Sequence, residues 1–166
     1  MQKEPELTQV EIAKKLGAAQ SSVATRIMKL KKNDLIRMCA RINFQKLGFL
    51  TGVASISTKN EKKVLDFARK CPLFINGVVT IGGRNVFLLF VSENLKTFQN
   101  IVDTQIRSLE GVTDVNFAHT VELASPYVGD VVVNPPVSIR PPCGMESFCY
   151  NCPADTNYQG SFWRKD

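Results

Sequence analysis

The segment TIGGRNVFLLFV, residues 80–91, contains the feature that decides the fold of this 166-residue chain. Gly82 and Gly83 indicate a tight turn, and an unbroken apolar run follows from Val86 to Val91. Such a short, continuous apolar run is typical of a central strand that is covered on both faces. We therefore predict a buried strand at residues 86–91, entered from a glycine turn.

The patterns on either side of this strand alternate between strands and helices. Upstream, we predict a strand at Leu50–Ser57, a helix at Glu61–Cys71 and a strand at Ile75–Thr80. Downstream, apolar residues at helical spacing predict a helix that Gly111 ends, and strict alternation from Val115 to Leu123 predicts a last strand. The helical stripe consists of Leu95, Phe98, Ile101, Val102, Ile106 and Leu109. The order β-α-β-β-α-β is the ferredoxin-like arrangement, so the predicted fold class is α+β. Two helices cover one face of such a sheet, and we expect a second copy of the chain to cover the other.

The region before this sheet is basic and helical. Residues 1–41 contain nine Lys/Arg and four Asp/Glu, so most of the net charge of +6 lies there. Thr8 and Glu11 have the spacing of a capping box, and Gly17 indicates a turn between two helices. The predicted apolar faces consist of Val10, Ile12, Ala13 and Leu16 on the first helix and Val23, Ile27 and Leu30 on the second. Two short helices joined at a glycine, with Ala13 allowing close approach, predict a helix-turn-helix.

The second of these helices carries the candidate DNA-binding residues. Its polar side consists of Gln20, Ser21, Ser22, Thr25, Arg26 and Lys29. Gln and Arg make paired hydrogen bonds with base edges, and Ser, Thr and Lys hold phosphates. An ordinary helical hairpin with a solvated face would show a similar pattern. The basic surroundings and the separate domain that follows favour binding of double-stranded DNA.

The chain from Pro126 onward changes character. It contains six of the eight prolines, and Tyr127–Val133 could add one edge strand. Beyond these residues, Cys143, Cys149 and Cys152 form the pattern C-x5-C-x2-C. Thiolates at this spacing can bind Zn²⁺ or an iron–sulfur cluster, with a fourth ligand from Cys39, Cys71, His119, water or another subunit. A thiol–disulfide switch and an unstructured tail with incidental cysteines are the alternatives, and Cys71 is expected to pack behind its helix.

Several protein classes are excluded by composition. No apolar run approaches the length of about 20 residues that spans a bilayer, so no membrane partner is expected. The first residues contain no apolar signal core, and five cysteines do not suggest a disulfide framework. We therefore predict a cytoplasmic protein. One histidine and the lack of a carboxylate pair or nucleophile–base set argue against an enzyme.

The stretch LTQVEIAKKLGAAQSSVATRIMKLKKNDLI, residues 7–36, resembles the helix-turn-helix of archaeal and bacterial Lrp/AsnC regulators. The stretch Arg37–Phe49, which ends NFQKLGF, is similar to the strand linker that follows the helix-turn-helix in that family, and residues 50–123 match the order of its effector domain. Family members begin with a further helix, whereas six residues precede Leu7 here, so the helix-turn-helix is expected to lack a full first helix. The cysteine tail is the second departure from the family.

The resemblance implies an assembly and a small-molecule site. Family members form dimers that associate into tetramers or octamers, and they bind an effector, commonly an amino acid, near the glycine turn. On this chain the corresponding residues are Thr80, Gly82, Gly83, Arg84 and Asn85. Arg84 could pair with a carboxylate, although a tight hairpin with a solvated arginine is the alternative. Some family members have an aspartate shortly after the glycine. This chain has Asn85-Val86 at that place.

These observations together predict four regions and one function. The regions are a winged helix-turn-helix at residues 1–41, a linker at 42–49, an effector and assembly domain at 50–125, and a Pro/Cys-containing tail at 126–166. The predicted function is sequence-specific transcription regulation in response to an amino acid, metal or redox signal. The alternatives are a sensor of the same fold that no longer binds DNA and a tetrapyrrole-modifying enzyme of related architecture.

Overall fold

A computed structural model of the chain describes residues 7–36, 42–123 and 137–160. The chain divides into two compact units, residues 1–40 and residues 41–166. No helix among the described residues is long and apolar enough to cross a membrane. The predicted edge strand at residues 127–133 and Cys39 lie outside the described residues.

The first unit contains α1, Gln9–Leu16, and α2, Gln20–Lys32. The predicted capping box is present: Glu11 N–H donates to Thr8 Oγ1 at 3.3 Å, and Thr8 N–H donates to Glu11 Oε2 at 2.7 Å. Gly17 ends α1 in the left-handed conformation, with φ 61°, where a side chain would be strained. The turn therefore forms where the sequence predicted it.

The core of this unit is smaller than the predicted apolar faces. Four residues are buried, namely Ile12, Ala13, Val23 and Ile27, and Leu7 and Ile36 pack against them. Val10 and Leu16 were predicted on the apolar face of α1, but they are 56% and 67% exposed. Their positions flank the narrow stripe through which an eight-residue helix contacts α2, so the prediction for these two residues is wrong. Leu30 is likewise exposed.

The second unit is a four-stranded antiparallel sheet with helices between its strands. The strands are β1 (Leu50–Thr58), β2 (Phe74–Val79), β3 (Val86–Ser92) and β4 (Val112–His119), in the spatial order β2-β3-β1-β4. The helices are α3, Glu61–Lys70, and α4, Leu95–Asn100. Asn60 and Asn94 cap these helices through their side chains. The β-α-β-β-α-β order predicted from the sequence is thus confirmed.

One face of the sheet is covered by an aromatic cluster. The Phe90 ring lies 4.8 Å from Phe98 of α4, 5.1 Å from Phe74 and 5.8 Å from Phe117, measured between ring centroids. Ala54, Ile56 and Leu88 are buried on the same face. On the opposite face, Val53, Ser55, Phe87 and Leu89 alternate with these residues and are only partly buried. The sheet therefore has one covered face and one partly open face.

Three predicted segments differ from the structure by more than a single terminal residue. The helix predicted between β3 and β4 is α-helical only over α4. It continues as a π-helix at Ile101–Ile106, so regular α-helical hydrogen bonding ends at Asn100. The last strand begins at Val112 and ends at His119, and Val121 beyond it is 94% exposed. The described part of the predicted strand linker, residues 42–49, forms mostly a turn, with the rings of Phe44 and Phe49 5.5 Å apart in the core cluster, and residues 37–41 lie outside the described residues.

The described part of the tail, residues 137–160, contains no helix or strand. It nevertheless makes specific contacts with α4 and with the end of β3. Tyr150 N–H donates to Asn100 Oδ1 at 2.7 Å, and Lys96 Nζ lies 4.2 Å from the centroid of the Tyr150 ring. Asn151 Nδ2 donates to Glu93 Oε2 at 3.5 Å. Two hydrogen bonds and one cation–π contact therefore hold the tail against the second unit.

Candidate DNA, effector and thiol sites

The predicted DNA-contacting residues all lie on the solvent side of α2. Gln20, Ser21, Ser22, Thr25, Arg26 and Lys29 are exposed, while Val23 and Ile27 of the same helix are buried against α1. The Thr25 hydroxyl donates to the Ser21 carbonyl at 2.9 Å, so it is oriented by its own helix. The arrangement gives α2 one packed side and one polar side that can enter a groove.

The net positive charge of residues 7–36 favours binding of a polyanion such as DNA. Within residues 7–36, six Lys/Arg accompany two acidic residues, Glu11 and Asp34. Lys29, Lys31 and Lys32 lie in the last turn of α2. Positive charge at this end of a helix also complements the helix dipole. The hydrogen bonds from Thr8 hold the pKa of Glu11 below its ordinary value, so this carboxylate stays ionised within the capping box.

The glycine turn between β2 and β3 is held by hydrogen bonds within the turn and to β1. Thr80 N–H donates to the Asn85 carbonyl at 2.8 Å and closes the turn. The Ser57 hydroxyl donates to the Gly83 carbonyl at 2.7 Å and ties the turn to β1. A Cβ on Gly83 would meet no atom within 4 Å, which means that the space beside the turn is open.

Arg84 lies on the partly open face of the sheet. Its Nη1 donates to Ser55 Oγ at 3.3 Å, and its Nη2 pairs with Asp114 Oδ2 at 3.2 Å. Both charged side chains are about half exposed, which leaves the guanidinium accessible to a ligand. Arg84 is thus positioned but not enclosed.

Asn85 has a different environment from the one expected of an effector contact. Its Oδ1 accepts from Thr58 N–H at 2.9 Å, and its Nδ2 donates to the Thr58 carbonyl at 2.8 Å and to Glu61 Oε1 at 2.6 Å. The side-chain amide therefore already has partners at both ends. Its role in the structure is to join the glycine turn to the end of β1 and the start of α3.

The three tail cysteines lie near a fourth cysteine from the folded domain. Cys71, which ends α3, interacts electrostatically with Cys143 and Cys152, and Cys149 interacts with all three. All four are free thiols. The sequence placed Cys71 behind its helix, and no local pattern connects it with the distant tail.

The four thiols share a desolvated environment. Burial raises the pKa of Cys71 and of Cys143 above the ordinary value of a thiol. The Cys149 thiol donates a hydrogen bond to Cys152, which raises the pKa of Cys149 and lowers that of Cys152. As the side chains stand, no three His, Cys, Asp or Glu residues in the described ranges are spaced to hold a metal ion. His119 is exposed on β4 and is not part of this cluster.

A cleft that the sequence did not predict has Cys149 in its wall. It has a volume of about 990 Å³ and is lined by the end of β3, by residues 47–49 and by the tail. Glu93, Asn94, Tyr150, Asn151 and Asp155 provide polar groups to its wall. No sequence signal could have located it, because its two sides come from segments far apart in the chain.

The comparisons with known proteins agree with this geometry. Residues 1–37 match the family model described as winged helix-turn-helix DNA-binding. Over 72–80% of its length, the chain has the fold of the Lrp/AsnC regulators, as the sequence predicted. No curated protein sequence matches the chain.

Three solved structures illustrate the likeness. The AsnC family regulator from Agrobacterium tumefaciens is 21% identical, with 80% of this chain and 90% of that chain covered and a TM-score of 0.63. A transcriptional regulator from Neisseria meningitidis, solved as a complex with L-Met, is 18% identical over 75% of this chain and 84% of that chain, with a TM-score of 0.66. AsnC from E. coli is 15% identical, with 72% of this chain and 84% of that chain covered and a TM-score of 0.61.

Proposed function

We propose that this protein is a transcription regulator that binds double-stranded DNA through α2 and responds to a small effector. The observation that carries the proposal is the exposed polar side of α2, which is backed by buried Val23 and Ile27 and lies in a segment that matches a DNA-binding family. Such a helix places its side chains in the major groove. This role is regulatory rather than enzymatic, and it is carried out in the cytoplasm.

Within α2, the side chains divide by chemistry. Gln20 and Arg26 read base edges, because amide and guanidinium groups make two parallel hydrogen bonds with a base. Ser21, Ser22, Thr25 and Lys29 contact phosphates and fix the register of the helix. The basic balance of residues 7–36 adds affinity that is independent of sequence and sensitive to salt.

The effector site of this proposal is the glycine turn with Arg84. Thr80, Gly82, Gly83 and Arg84 surround open space, and the half-exposed guanidinium can bind a carboxylate. The related regulator from N. meningitidis was solved with L-Met, which favours an amino acid here. Asn85 contributes by holding the turn in place.

The protein is proposed to act as a homodimer that can associate further. The partly open face of the sheet carries Val53, Phe87 and Leu89, and Val78 beside them is 51% exposed. Ile81, at the tip of the glycine turn, is fully exposed. Exposed apolar side chains that are grouped in this way mark a surface for another subunit. A dimer also presents two copies of α2 to two half-sites of DNA.

A band-shift assay with the DNA upstream of the protein's own gene tests the proposal. We expect saturable binding that is at least tenfold tighter than binding to random DNA of the same length. Arg26→Ala is expected to remove most of this preference, since a bidentate base contact contributes about 1–3 kcal/mol. Arg69→Ala, which removes an exposed arginine paired with Asp66 on α3, is the matched control and should bind like the unchanged protein. Equal affinity for upstream and random DNA would contradict the proposal and would favour a sensor without DNA-binding activity.

A further inference from the structure

One end of the partly open sheet face carries a pair of opposite charges. Arg84 comes from the glycine turn, and Asp114 comes from β4, where it lies opposite Ser57 of β1. Arg84 Nη2 pairs with Asp114 Oδ2 at 3.2 Å, and Arg84 Nη1 donates to Ser55 Oγ at 3.3 Å. Ser55 and Ser57 are two residues apart on one strand, so these side chains lie on the same face of the sheet.

The backbone on both sides of Arg84 is fastened to β1. The Gly83 carbonyl accepts from the Ser57 hydroxyl at 2.7 Å, and Asn85 N–H donates to the Ile56 carbonyl at 3.0 Å. The guanidinium is therefore held over β1 by its neighbours in the chain, although its side chain is 42% exposed. A ligand that reaches this face meets a charged group whose position is already set.

The two charges together limit what can bind. A ligand carboxylate that approaches Arg84 also approaches the carboxylate of Asp114, and like charges repel. A positive group beside the ligand carboxylate removes this repulsion, because it can pair with Asp114. An α-amino acid carries such a group, its ammonium, on the carbon next to the carboxylate. The pair therefore matches a zwitterion better than a simple carboxylate.

Both members of the pair have capacity for a ligand. A guanidinium has five N–H groups, and two nitrogens of Arg84 make the contacts with Ser55 and Asp114. Within the described ranges, Asp114 is hydrogen-bonded through Oδ2, and its side chain is 54% exposed. A carboxylate has two oxygens that accept, so Asp114 can hold an ammonium while it keeps its contact with Arg84.

The surface beside the pair is apolar. Phe87 of β3 lies directly opposite Ser55 on the same face and is only partly buried. Val78 of β2 lies opposite Phe87 and is 51% exposed. An amino acid held at Arg84 and Asp114 thus has an apolar surface within reach of its side chain.

We propose that Asp114 binds the α-ammonium group of an amino acid whose carboxylate is bound by Arg84. The site thereby selects amino acids with an apolar side chain, which contacts Phe87, over carboxylates that have no amino group. This inference rests on the proposed effector site at the glycine turn and adds Asp114 as its specificity-determining residue.

Isothermal titration of the full chain with two matched pairs of ligands tests the proposal. The pairs are L-methionine with γ-(methylthio)butyrate and L-leucine with isocaproate, and the members of each pair differ only in the amino group. We expect the unchanged protein to bind at least one of the amino acids about tenfold more tightly than its matched carboxylate. Asp114→Asn should weaken binding of that amino acid about tenfold. The same variant should bind the matched carboxylate more tightly than the unchanged protein does, because the repelling charge is gone.

Asp66→Asn is the matched control. Asp66 is a carboxylate of similar exposure on α3, where it pairs with Arg69 at 2.6 Å. The control should bind both members of each ligand pair like the unchanged protein. Exposed ion pairs contribute little to folding, so both variants should keep the circular dichroism spectrum of the unchanged protein.

Two results would overturn this inference and leave the proposed effector site at Arg84 in place. The first is equal affinity of the unchanged protein for each amino acid and its matched carboxylate. The second is an Asp114→Asn variant that prefers the amino acid as strongly as the Asp66→Asn control does. Failure of both amino acids to bind the unchanged protein would overturn this inference together with the effector part of the proposed function. The band-shift assay tests the DNA-binding part separately.

Discussion

The side-chain amide of Asn85 pairs with the backbone of Thr58 in both directions, accepting from its N–H at 2.9 Å and donating to its carbonyl at 2.8 Å. The same amide donates to Glu61 Oε1 at 2.6 Å. One side chain therefore fixes three elements, namely the glycine turn, the end of β1 and the start of α3. This pairing explains how a turn with two glycines holds a defined shape.

Asn85→Asp is expected to destabilise the sheet domain by about 1–3 kcal/mol, the usual cost of leaving a buried polar group unsatisfied. A carboxylate cannot donate to the Thr58 carbonyl, and it would lie beside the carboxylate of Glu61. Urea unfolding followed by circular dichroism measures the change. The matched control is Asn76→Asp, because Asn76 Oδ1 only accepts from Gly77 N–H and an aspartate keeps that bond. Equal midpoints for the two variants would contradict the clamping role of Asn85.

Arg84→Gln is expected to weaken binding of a carboxylate-containing amino acid at least tenfold while leaving stability within about 1 kcal/mol. The loss of a charge-assisted pair lowers affinity, whereas the exposed ion pair with Asp114 contributes little to folding. Isothermal titration with L-methionine and related amino acids measures the affinity, and urea unfolding measures stability. Arg69→Gln removes an ion pair of similar exposure elsewhere and serves as the control. Unchanged affinity in Arg84→Gln would remove Arg84 from the proposed effector site.

The sequence predicted the sheet well because its signals are local. Alternation along a strand and helical spacing along α3 appear within ten residues, so the order of elements could be predicted from neighbouring side chains. The capping box of Thr8 and the turn at Gly17 are equally local, and both are present. The exposure of Val10 and Leu16 could not be predicted, because it depends on which neighbours an apolar side chain finds.

The candidate sites were less predictable, since they depend on contacts between distant segments. From the sequence, an asparagine after a glycine turn could contact a ligand or hydrogen-bond to the backbone. The position of Thr58 in the structure distinguishes these two roles, because its backbone pairs with the Asn85 amide. Cys71 has no motif of its own, and its electrostatic interaction with Cys143 joins residues that are 72 positions apart in the chain. Periodicity and spacing contain no information on such long-range proximity.

Lys29→Gln is expected to weaken DNA binding to every sequence by a similar factor and to reduce the salt dependence of binding. Loss of one phosphate contact should lower the slope of log K against log salt by about 0.9. Fluorescence anisotropy with labelled DNA at several salt concentrations measures the slope. Lys63→Gln, at an exposed lysine paired with Glu110 on the other unit, is the matched control. A slope that is unchanged in Lys29→Gln, or equally reduced in the control, would argue against a phosphate contact by Lys29.

Glu11→Gln is expected to destabilise the helix-turn-helix near neutral pH but not in acid. Hydrogen bonds from Thr8 lower the pKa of Glu11 in the folded state, so its ionisation stabilises folding above the ordinary pKa of a glutamate. That contribution is lost as the pH falls through the folded pKa. Gln keeps the geometry of a capping box without the charge. Thermal unfolding from pH 7 to pH 3 should therefore show two curves that converge at low pH, and a constant difference would contradict this account.

Gly52→Ala is expected to destabilise the sheet domain by about 1–3 kcal/mol, the usual cost of overpacking a core. A Cβ at this position would lie 2.6 Å from Cε2 of the Phe117 ring, which is held in the aromatic cluster by Phe90 and Phe98. The ring cannot move aside without disturbing both neighbours. Gly83→Ala is the matched control, since a Cβ there meets no atom within 4 Å, and it should unfold at the same urea concentration as the unchanged protein or slightly above it. If both variants unfold at the same midpoint, the aromatic cluster is loose enough to repack, and close packing around Gly52 does not limit the stability of the sheet.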